Sequence, residues 1–421
     1  MERLIFHVDV NSAYLSWEAA KRVKAGEPDL RLVPSAIGGD PKSRRGIVLA
    51  KSIPAKQYGV RTGEPLSMAL RKCPDLIVAP PDFKLYSSRS KAFKAICRSY
   101  TSLMEEFSID ECFLDFSGTE HLYPDPVALA YEIKDRIREE LGFTVNVGIG
   151  RNRLCAKMAS DFEKPDRVHT LFPEEIPDKM WPLPVGDLLF VGKATAARLN
   201  SAGIYTIGDL ANADELRLSV LIGEKSARQA HAYANGIDDS PVRDVPEEAK
   251  GYSNSITTEE NITTPETAHT ILLALCDSVT EHMRNDGMRA NGVSVSIRYL
   301  DFKNRSHQCK LDHATESAGV VYETAKKLLD DLWKDRRPLR LMGVALTNVS
   351  KDAAVQQLSL FDEPEQQTSR EKRERLDKAV SAIRGKFGFD AIQRGALIGS
   401  DYHVGRKFKG KSESGRKPEE S

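Results

Sequence analysis

The sequence predicts a multidomain α+β protein, and three observations carry that reading. Its 421 residues suffice for two to four domains at roughly 100–200 residues each. Residues 1–170 alternate short apolar runs rich in strand formers with amphipathic stretches, the pattern of helices packed around one sheet. Two interruptions, the proline-rich Phe172–Pro184 and the acidic, proline-bearing Gly236–Gly251, flank a segment with helix-turn signals and almost no strand signal.

Taken in order, Leu4–Val10 is a strand-like apolar run, followed by a helix over Ala13–Ala25 that stops near Gly26 and Pro28. Gly46–Ala50 is a second strand candidate, Tyr86–Met104 has a helical spread of apolar and basic residues, and Ile109–Phe116 alternates apolar with acidic positions. Val127–Leu141 is an amphipathic helix closed by Gly142, Thr144–Gly150 reads as a strand, and Leu154–Phe162 as a helix ending before Pro165. Leu188–Gly236 is a small helical unit. Beyond the second interruption, strands at Ile256–Thr258, Val293–Leu300, Cys309–Leu311 and Leu341–Asn348, with helices at Glu266–Asp286 and Gly319–Trp333, form an independent α+β unit. Lys351–Ser421 is polar and contains Gln and Glu runs, and the Gly/Ser/Lys tail that ends it is expected to be disordered. Within it, Arg370–Leu397 is a basic stretch compatible with a helix.

The chain holds 61 Lys+Arg and 61 Asp+Glu, so its formal net charge is zero. That argues against a nucleic-acid binder only if the charges are spread evenly. They are not: residues 250–421 hold 28 basic and 25 acidic residues, leaving 33 and 36 for residues 1–249. The apolar runs Leu76–Pro81 and Ile271–Cys276 fall far short of the roughly 20 residues that span a bilayer. Glu2, Arg3, Asp9 and Asn11 spoil a signal-peptide core. Six cysteines without a Cys-x-x-Cys or a close pair suggest neither a disulfide framework nor a zinc site. A cytoplasmic chain with free, mostly buried thiols is expected.

Asp9 closes an apolar strand in Phe-His-Val-Asp-Val-Asn-Ser-Ala-Tyr14, and Asp110 and Glu111 interrupt Ser108-Ile-Asp-Glu-Cys-Phe-Leu-Asp115. Alone, Asp9 reads as an acid ending a strand for solubility. Adjacent acids on a regular strand point to opposite faces, so a shared role for Asp110 and Glu111 requires a turn there or a metal at the sheet end. Mg²⁺ favours one or two carboxylates plus substrate phosphates, which suits three converging acids.

The two segments, in this order and spacing, resemble the Y-family of DNA polymerases. The strand-Asp motif matches His7–Glu18 and the Ser-Ile-Asp-Glu motif matches Ser108–Glu111 in full; the resemblance runs through Gly46–Pro65 and Thr144–Pro165 and covers about residues 3–350. It implies a right-hand polymerase: palm and fingers over 1–170, a helical thumb over 171–240, a linker at 241–251, a little finger over 252–350 and a polar tail from 351. It also implies translesion synthesis by a two-metal mechanism, with Asp9, Asp110, Glu111 and the Val10 carbonyl holding two Mg²⁺ ions. Tyr14 falls at the steric-gate position against ribonucleotides; without the resemblance it reads as a core aromatic. Lys164 and Lys56 match triphosphate-binding positions, the latter usually an arginine; otherwise both read as surface charges. Ile53, Asn11 and Ala13 depart from the family pattern.

The segment Leu189–Ile204 resembles the family's helix-hairpin-helix, whose Gly192 and Lys193 would meet DNA phosphate, although Ala194 replaces the usual second glycine. A plain helical hairpin fits the same residues. Arg298, Lys303, Arg305 and Lys310 lie on or beside little-finger strand candidates, where alternation would put them on one face along a DNA backbone. Gln357-Leu-Ser-Leu-Phe361 is similar to the bacterial sliding-clamp peptide, with Gln357, Leu358, Leu360 and Phe361 as its anchors. Implied partners are primer-template DNA, dNTPs and the clamp, bound by a monomer with no membrane association. A non-catalytic DNA- and clamp-binding scaffold and a Mg²⁺-dependent nuclease are the competing readings. The intact acids oppose the first; the steric-gate and triphosphate matches oppose the second.

Overall fold

A computed structural model describes residues 3–40, 46–119, 121–245, 247–351, 364–388 and 391–398. The chain divides between Pro246 and Glu247, inside the expected 241–251 linker.

The first unit opens with β1 (Ile5–Val10), buried at every position, and α1 (Ala13–Lys24). Lys21, Arg22 and Lys24 in the last turn of α1 complement its dipole. A small sheet follows, built from β2 (Ser35–Gly38), β3 (Val48–Lys51) and β4 (Ile77–Ala79) with the short helices α2 (Ile53–Gln57) and α3 (Leu66–Lys72). It closes around Val48, Val60, Leu66 and Leu76. Next come α4 (Phe83–Arg98), the hairpin of β5 (Met104–Glu106) and β6 (Glu111–Asp115), α5 (Pro126–Leu141), β7 (Val145–Gly150), α6 (Arg153–Asp161) and β8 (Val168–Leu171). The bounds of α5 follow from its chemistry. The Asp125 side chain caps the N–H groups of Val127 and Ala128, Pro126 starts the first turn, and Gly142 takes the left-handed C-cap at φ 78°.

The main sheet runs β5-β6-β1-β7-β8, with β1 central and antiparallel to both neighbours. Alternation sorts β1 between two faces. Phe6, Val8 and Val10 join Trp17, Tyr86, Phe93, Ile133 and Ile137 in the principal core. Ile5, His7 and Asp9 face the other way, toward α6, where Ile5 clusters with Phe113 and Ala156. The approach of α6 is close enough to require a glycine beneath it: a Cβ at Gly148 would lie 2.0 Å from the Ala156 carbonyl oxygen. A third core, containing Leu199, Ile207, Leu210 and Leu218, belongs to the helical segment of α7 (Ile176–Lys179), α8 (Lys193–Ser201), α9 (Ile207–Ala211), α10 (Glu215–Ile222) and α11 (Glu224–Ala234).

The second unit is an antiparallel sheet with helices on one face. Its elements are β9 (Gly251–Ile262), α12 (Pro265–Asn285), β10 (Arg289–Tyr299), β11 (Asn304–Thr315), α13 (Ala318–Leu332) and β12 (Leu339–Ser350), with strand order β11-β10-β12-β9. The strands at Ile256–Thr258 and Cys309–Leu311 prove to be the apolar centres of 12-residue strands. Both are edge strands, whose outer residues face solvent and need no apolar alternation.

Overlapping Arg370–Leu397, the stretch read as compatible with a helix, is α14 (Pro364–Phe387), which docks on this second unit. Among its described side chains the docking contacts are ionic, so apolar composition could not reveal them. The Arg384 side chain, 2% exposed, donates to Asp277 at 2.8 Å and Glu281 at 2.5 Å, both on α12. Asp377 accepts from Ser317 Oγ (2.9 Å) and the Ala318 N–H (3.1 Å) at the start of α13, and Arg394 bridges Asp277 to Asp377. Removing one partner of a buried ion cluster leaves the others uncompensated. Arg384→Ala should therefore cost about 3–5 kcal/mol, read as faster amide exchange over residues 374–387 and a lower unfolding midpoint. Wild-type exchange in the variant would show that Arg384 does not anchor the helix.

Candidate active site

The turn that the adjacent acids require is present. Ser108–Asp110 form a bend, and β6 begins only at Glu111. The Phe107 and Ser108 N–H groups both donate to the Glu111 carbonyl, at 3.2 and 3.1 Å, while α4 pins the bend from outside. Ser90 Oγ donates to the Ile109 carbonyl at 2.5 Å, and Lys94 Nζ to the Ser108 carbonyl at 2.7 Å. Asp110 is thereby set beside the end of β1, where its carbonyl accepts from the Val10 N–H at 3.0 Å. Its carboxylate accepts from Ser108 Oγ at 2.6 Å. Asp9 and Glu111 are direct cross-strand partners, so their side chains emerge from the same face.

Two ammonium groups meet that face. Lys157 Nζ, from α6, lies 2.8 Å from Glu111 Oε2, 3.7 Å from Asp9 Oδ2 and 3.3 Å from Asp161 Oδ2. Lys164 Nζ bonds Asp9 Oδ2 and lies 2.8 Å from Asp161 Oδ1. His7, fully buried, places Nε2 3.0 Å from Glu111 Oε2 and Nδ1 2.8 Å from Ser160 Oγ.

Burial competes with these charges, and the outcome differs between the two acids. Burial pushes Asp9 above the usual carboxylate range, and Lys164 and Lys157 recover only part of the shift. Glu111 is also pushed up by burial, but hydrogen bonds from His7 and Lys157 outweigh it and hold the carboxyl down at about 2. Burial pushes His7 below the ordinary imidazole value. An ionised Glu111 can only accept, so His7 Nε2 donates to it, while Nδ1 lies against Ser160 Oγ, whose own hydroxyl donates to the Lys157 carbonyl at 2.8 Å. Burial would lower both lysines, yet the surrounding carboxylates hold Lys157 and Lys164 above the ordinary amine value.

Among the described residues, no three acid, histidine or cysteine side chains close into a ready-made metal cage. Asp110 turns to Ser108 while Asp9 and Glu111 take lysines. The donor set nevertheless suits a hard cation: Asp9 and Glu111 offer oxygens from one face, Asp110 lies at the strand end, and two ammonium groups stand where positive charge is needed.

Tyr14 stacks on Tyr86 with ring centroids 4.7 Å apart and meets the edge of Trp17 at 6.0 Å. It remains half-buried, and burial together with the Asp110 charge raises its hydroxyl. Tyr14 is thus both a core-packed ring and a neighbour of the acids. Lys56 is exposed on α2, and Ile53, also on α2, is exposed; Ala13 is buried in the core. Asn11 organises the loop that carries Lys164: its Oδ1 accepts from the Asp166 N–H at 2.9 Å and its Nδ2 donates to Asn146 at 3.0 Å. Asn146 in turn donates to the Ser160 and Glu163 carbonyls.

Sequence reasoning missed His7 and Lys157. His7 was within reach, because it lies two residues before Asp9 and strand alternation puts both on one face. Lys157 gave no comparable signal beyond its i,i+4 spacing to Asp161.

Gly192 and Lys193 lie exposed at the start of α8, with Gly192 as N-cap. In the second unit, the four basic residues expected on one face separate by strand parity. Arg298 and Lys310 lie on the face away from the helices; Lys303 is in the β10–β11 turn beside Phe302 (φ 63°). Arg305 pairs with Ile297, whose side chain is in the core, and so belongs to the opposite face, with its guanidinium 5.6 Å from the Tyr299 ring. Gln357, Leu358, Leu360 and Phe361 lie outside the described residues.

Comparison with known proteins places this geometry in a family. Residues 8–161 match the impB/mucB/samB family, 249–360 its C-terminal domain and 173–204 the IMS family HHH motif. The chain is 45% identical over 399 residues to DNA polymerase IV of Clostridium acetobutylicum, covering 94% of this chain and 99% of that one. To DNA polymerase IV 1 of Bacillus subtilis it is 36% identical over 400 residues, covering 94% and 93%. A solved Y-family DNA polymerase chimera, 23% identical, shares the fold with a TM-score of 0.72 over 83% of this chain and all of that one. The chain belongs to the impB/mucB/samB family, the Y-family of DNA polymerases.

Proposed function

We propose that the chain is a translesion DNA polymerase that adds dNTPs to a primer 3′-hydroxyl on a template strand, with low fidelity, without proofreading, in DNA repair and damage tolerance. The observation that carries this reading is the Ser108–Asp110 bend, which sets Asp110 beside Val10 while Asp9 and Glu111 share a face.

Asp9, Asp110, Glu111 and the Val10 carbonyl would hold two Mg²⁺ ions. When bound, such ions acidify the attacking hydroxyl and neutralise charge on the triphosphate. The residues of the chain do the rest. Before metal binds, His7 and Lys157 keep Glu111 ionised and oriented. Lys164 and Lys56 meet the triphosphate, Lys56 as a point charge without the forked geometry of arginine. Tyr14, braced by Tyr86 and Trp17, presents a rigid ring against the 2′-hydroxyl of a ribonucleotide. Gly192 and Lys193 offer a helix N-terminus to a DNA phosphate. Arg298 and Lys310 act from the open face of the second sheet, and Lys303 and Arg305 from its edge. Gln357, Leu358, Leu360 and Phe361 bind a bacterial sliding clamp, raising local concentration on DNA. The protein acts as a cytoplasmic monomer.

Primer extension with Mg²⁺ and dNTPs tests the site. Asp9→Ala and Glu111→Ala should each reduce extension to background; equal extension by wild type and variants would remove the acids from the reaction. In the same assay Tyr14→Ala should admit ribonucleotides, and unchanged sugar selectivity would end the gate assignment. Changing Leu360 and Phe361 to Ala should abolish stimulation by the clamp while basal extension persists, whereas undiminished stimulation would refute the clamp site.

A further inference from the structure

We propose that Lys157 is a resident counter-cation of the site: its ammonium holds Asp9 and Glu111 in place before metal arrives, and a divalent cation must displace it to bind. The proposal rests on the reading of Asp9 and Glu111 as metal ligands and gives Lys157 a role separate from triphosphate binding.

The geometry singles out Lys157 over Lys164. The side chain of Lys157 is 11% exposed and that of Lys164 37%, so water can replace the second at its carboxylate far more readily than the first. Lys164 extends from a loop, whereas Lys157 projects from α6, which Gly148 allows to lie directly on β7. Lys157 Nζ reaches both acids, at 2.8 Å from Glu111 Oε2 and 3.7 Å from Asp9 Oδ2. Those are the oxygens that also take His7 and Lys164. A cation approaching the pair therefore meets an ammonium already between them.

A place for the displaced charge is also built in. Asp161, one helical turn on from Lys157, lies 3.3 Å from Nζ with its side chain 46% exposed. Lys157 can turn toward Asp161 and solvent without losing every partner. The exchange then substitutes two positive charges for one between the same carboxylates, and Lys157 is a positioning residue rather than a catalytic one.

The test uses the full chain without DNA or nucleotide, and Mn²⁺ as the probe, with free ion counted by electron paramagnetic resonance. Lys157→Met keeps the stem and removes the charge. A neighbouring charge of this kind shifts an equilibrium at a carboxylate by about 1–3 log units. The variant should accordingly bind Mn²⁺ about tenfold tighter or more. Its metal-free unfolding midpoint should fall, because two carboxylates lose their buried partner, and saturating Mn²⁺ should raise that midpoint more than in wild type. Lys157→Arg, which retains the charge, should keep the wild-type affinity; Lys157→Gln substitutes for the Met variant if that one does not fold. Wild-type Mn²⁺ affinity in the neutral variants, or an unchanged metal-free midpoint, would overturn the proposal. Failure of the underlying reading looks different: Mn²⁺ binding to the wild type would then survive Asp9→Ala and Glu111→Ala.

Discussion

Desolvation of Asp9 is the constraint around which the first unit is arranged. The residue ends a strand buried along its whole length, where an unpaired carboxylate would be costly. Cations must reach it, and the backbone is shaped so that they can. Lys157 reaches because α6 lies on β7, which in turn requires Gly148 beneath the Ala156 carbonyl. Lys164 reaches because Asn11 and Asn146 tie its loop to the end of β1 through Asp166, Ser160 and Glu163. Asn11 makes one of the bonds that keep Asp9 compensated.

The opposite shifts of Asp9 and Glu111 show what compensation achieves. Both acids share Lys157, but Glu111 also takes a hydrogen bond from His7 and is the more exposed of the two. Hydrogen bonds then outweigh burial at Glu111, while burial prevails at Asp9. Charge is therefore secure on one side of the pair and expensive on the other. Added positive charge would thus relieve Asp9 more than Glu111.

The framework was legible in the sequence where periodicity and turn chemistry act alone. β1 and α5 with its Gly142 stop follow from alternation and capping. The bend at Ser108–Asp110 was legible as a requirement, because strand geometry forbids adjacent acids on one face. Three features were not. Edge strands β9 and β11 extend beyond their apolar centres because only one face is covered. Arg305 leaves the basic face through strand parity, which is fixed only once the register with Ile297 is known. The docking of α14 depends on Arg384 meeting Asp277 and Glu281 about a hundred residues away in sequence, and composition treats such charges as solvated.

The same accounting explains why zero net charge does not weigh against DNA. Lys157 and Lys164 are taken up by Asp9, Glu111 and Asp161, and Arg384 and Arg394 by Asp277, Glu281 and Asp377. These groups contribute little to the outer field, so the sum over the chain says little about its surface. On the open face of the second sheet, Arg298 and Lys310 stand among Ser253, Ser255, Ser294, Ser296, Ser306 and Gln308, all at positions of like parity. Hydroxyls and amides donate to phosphate without releasing counterions in the number that a lysine-rich surface would. For a DNA ligand, such a face favours register and grip at short range over long-range attraction. Local concentration would then have to come from elsewhere, which is the role proposed above for Gln357–Phe361.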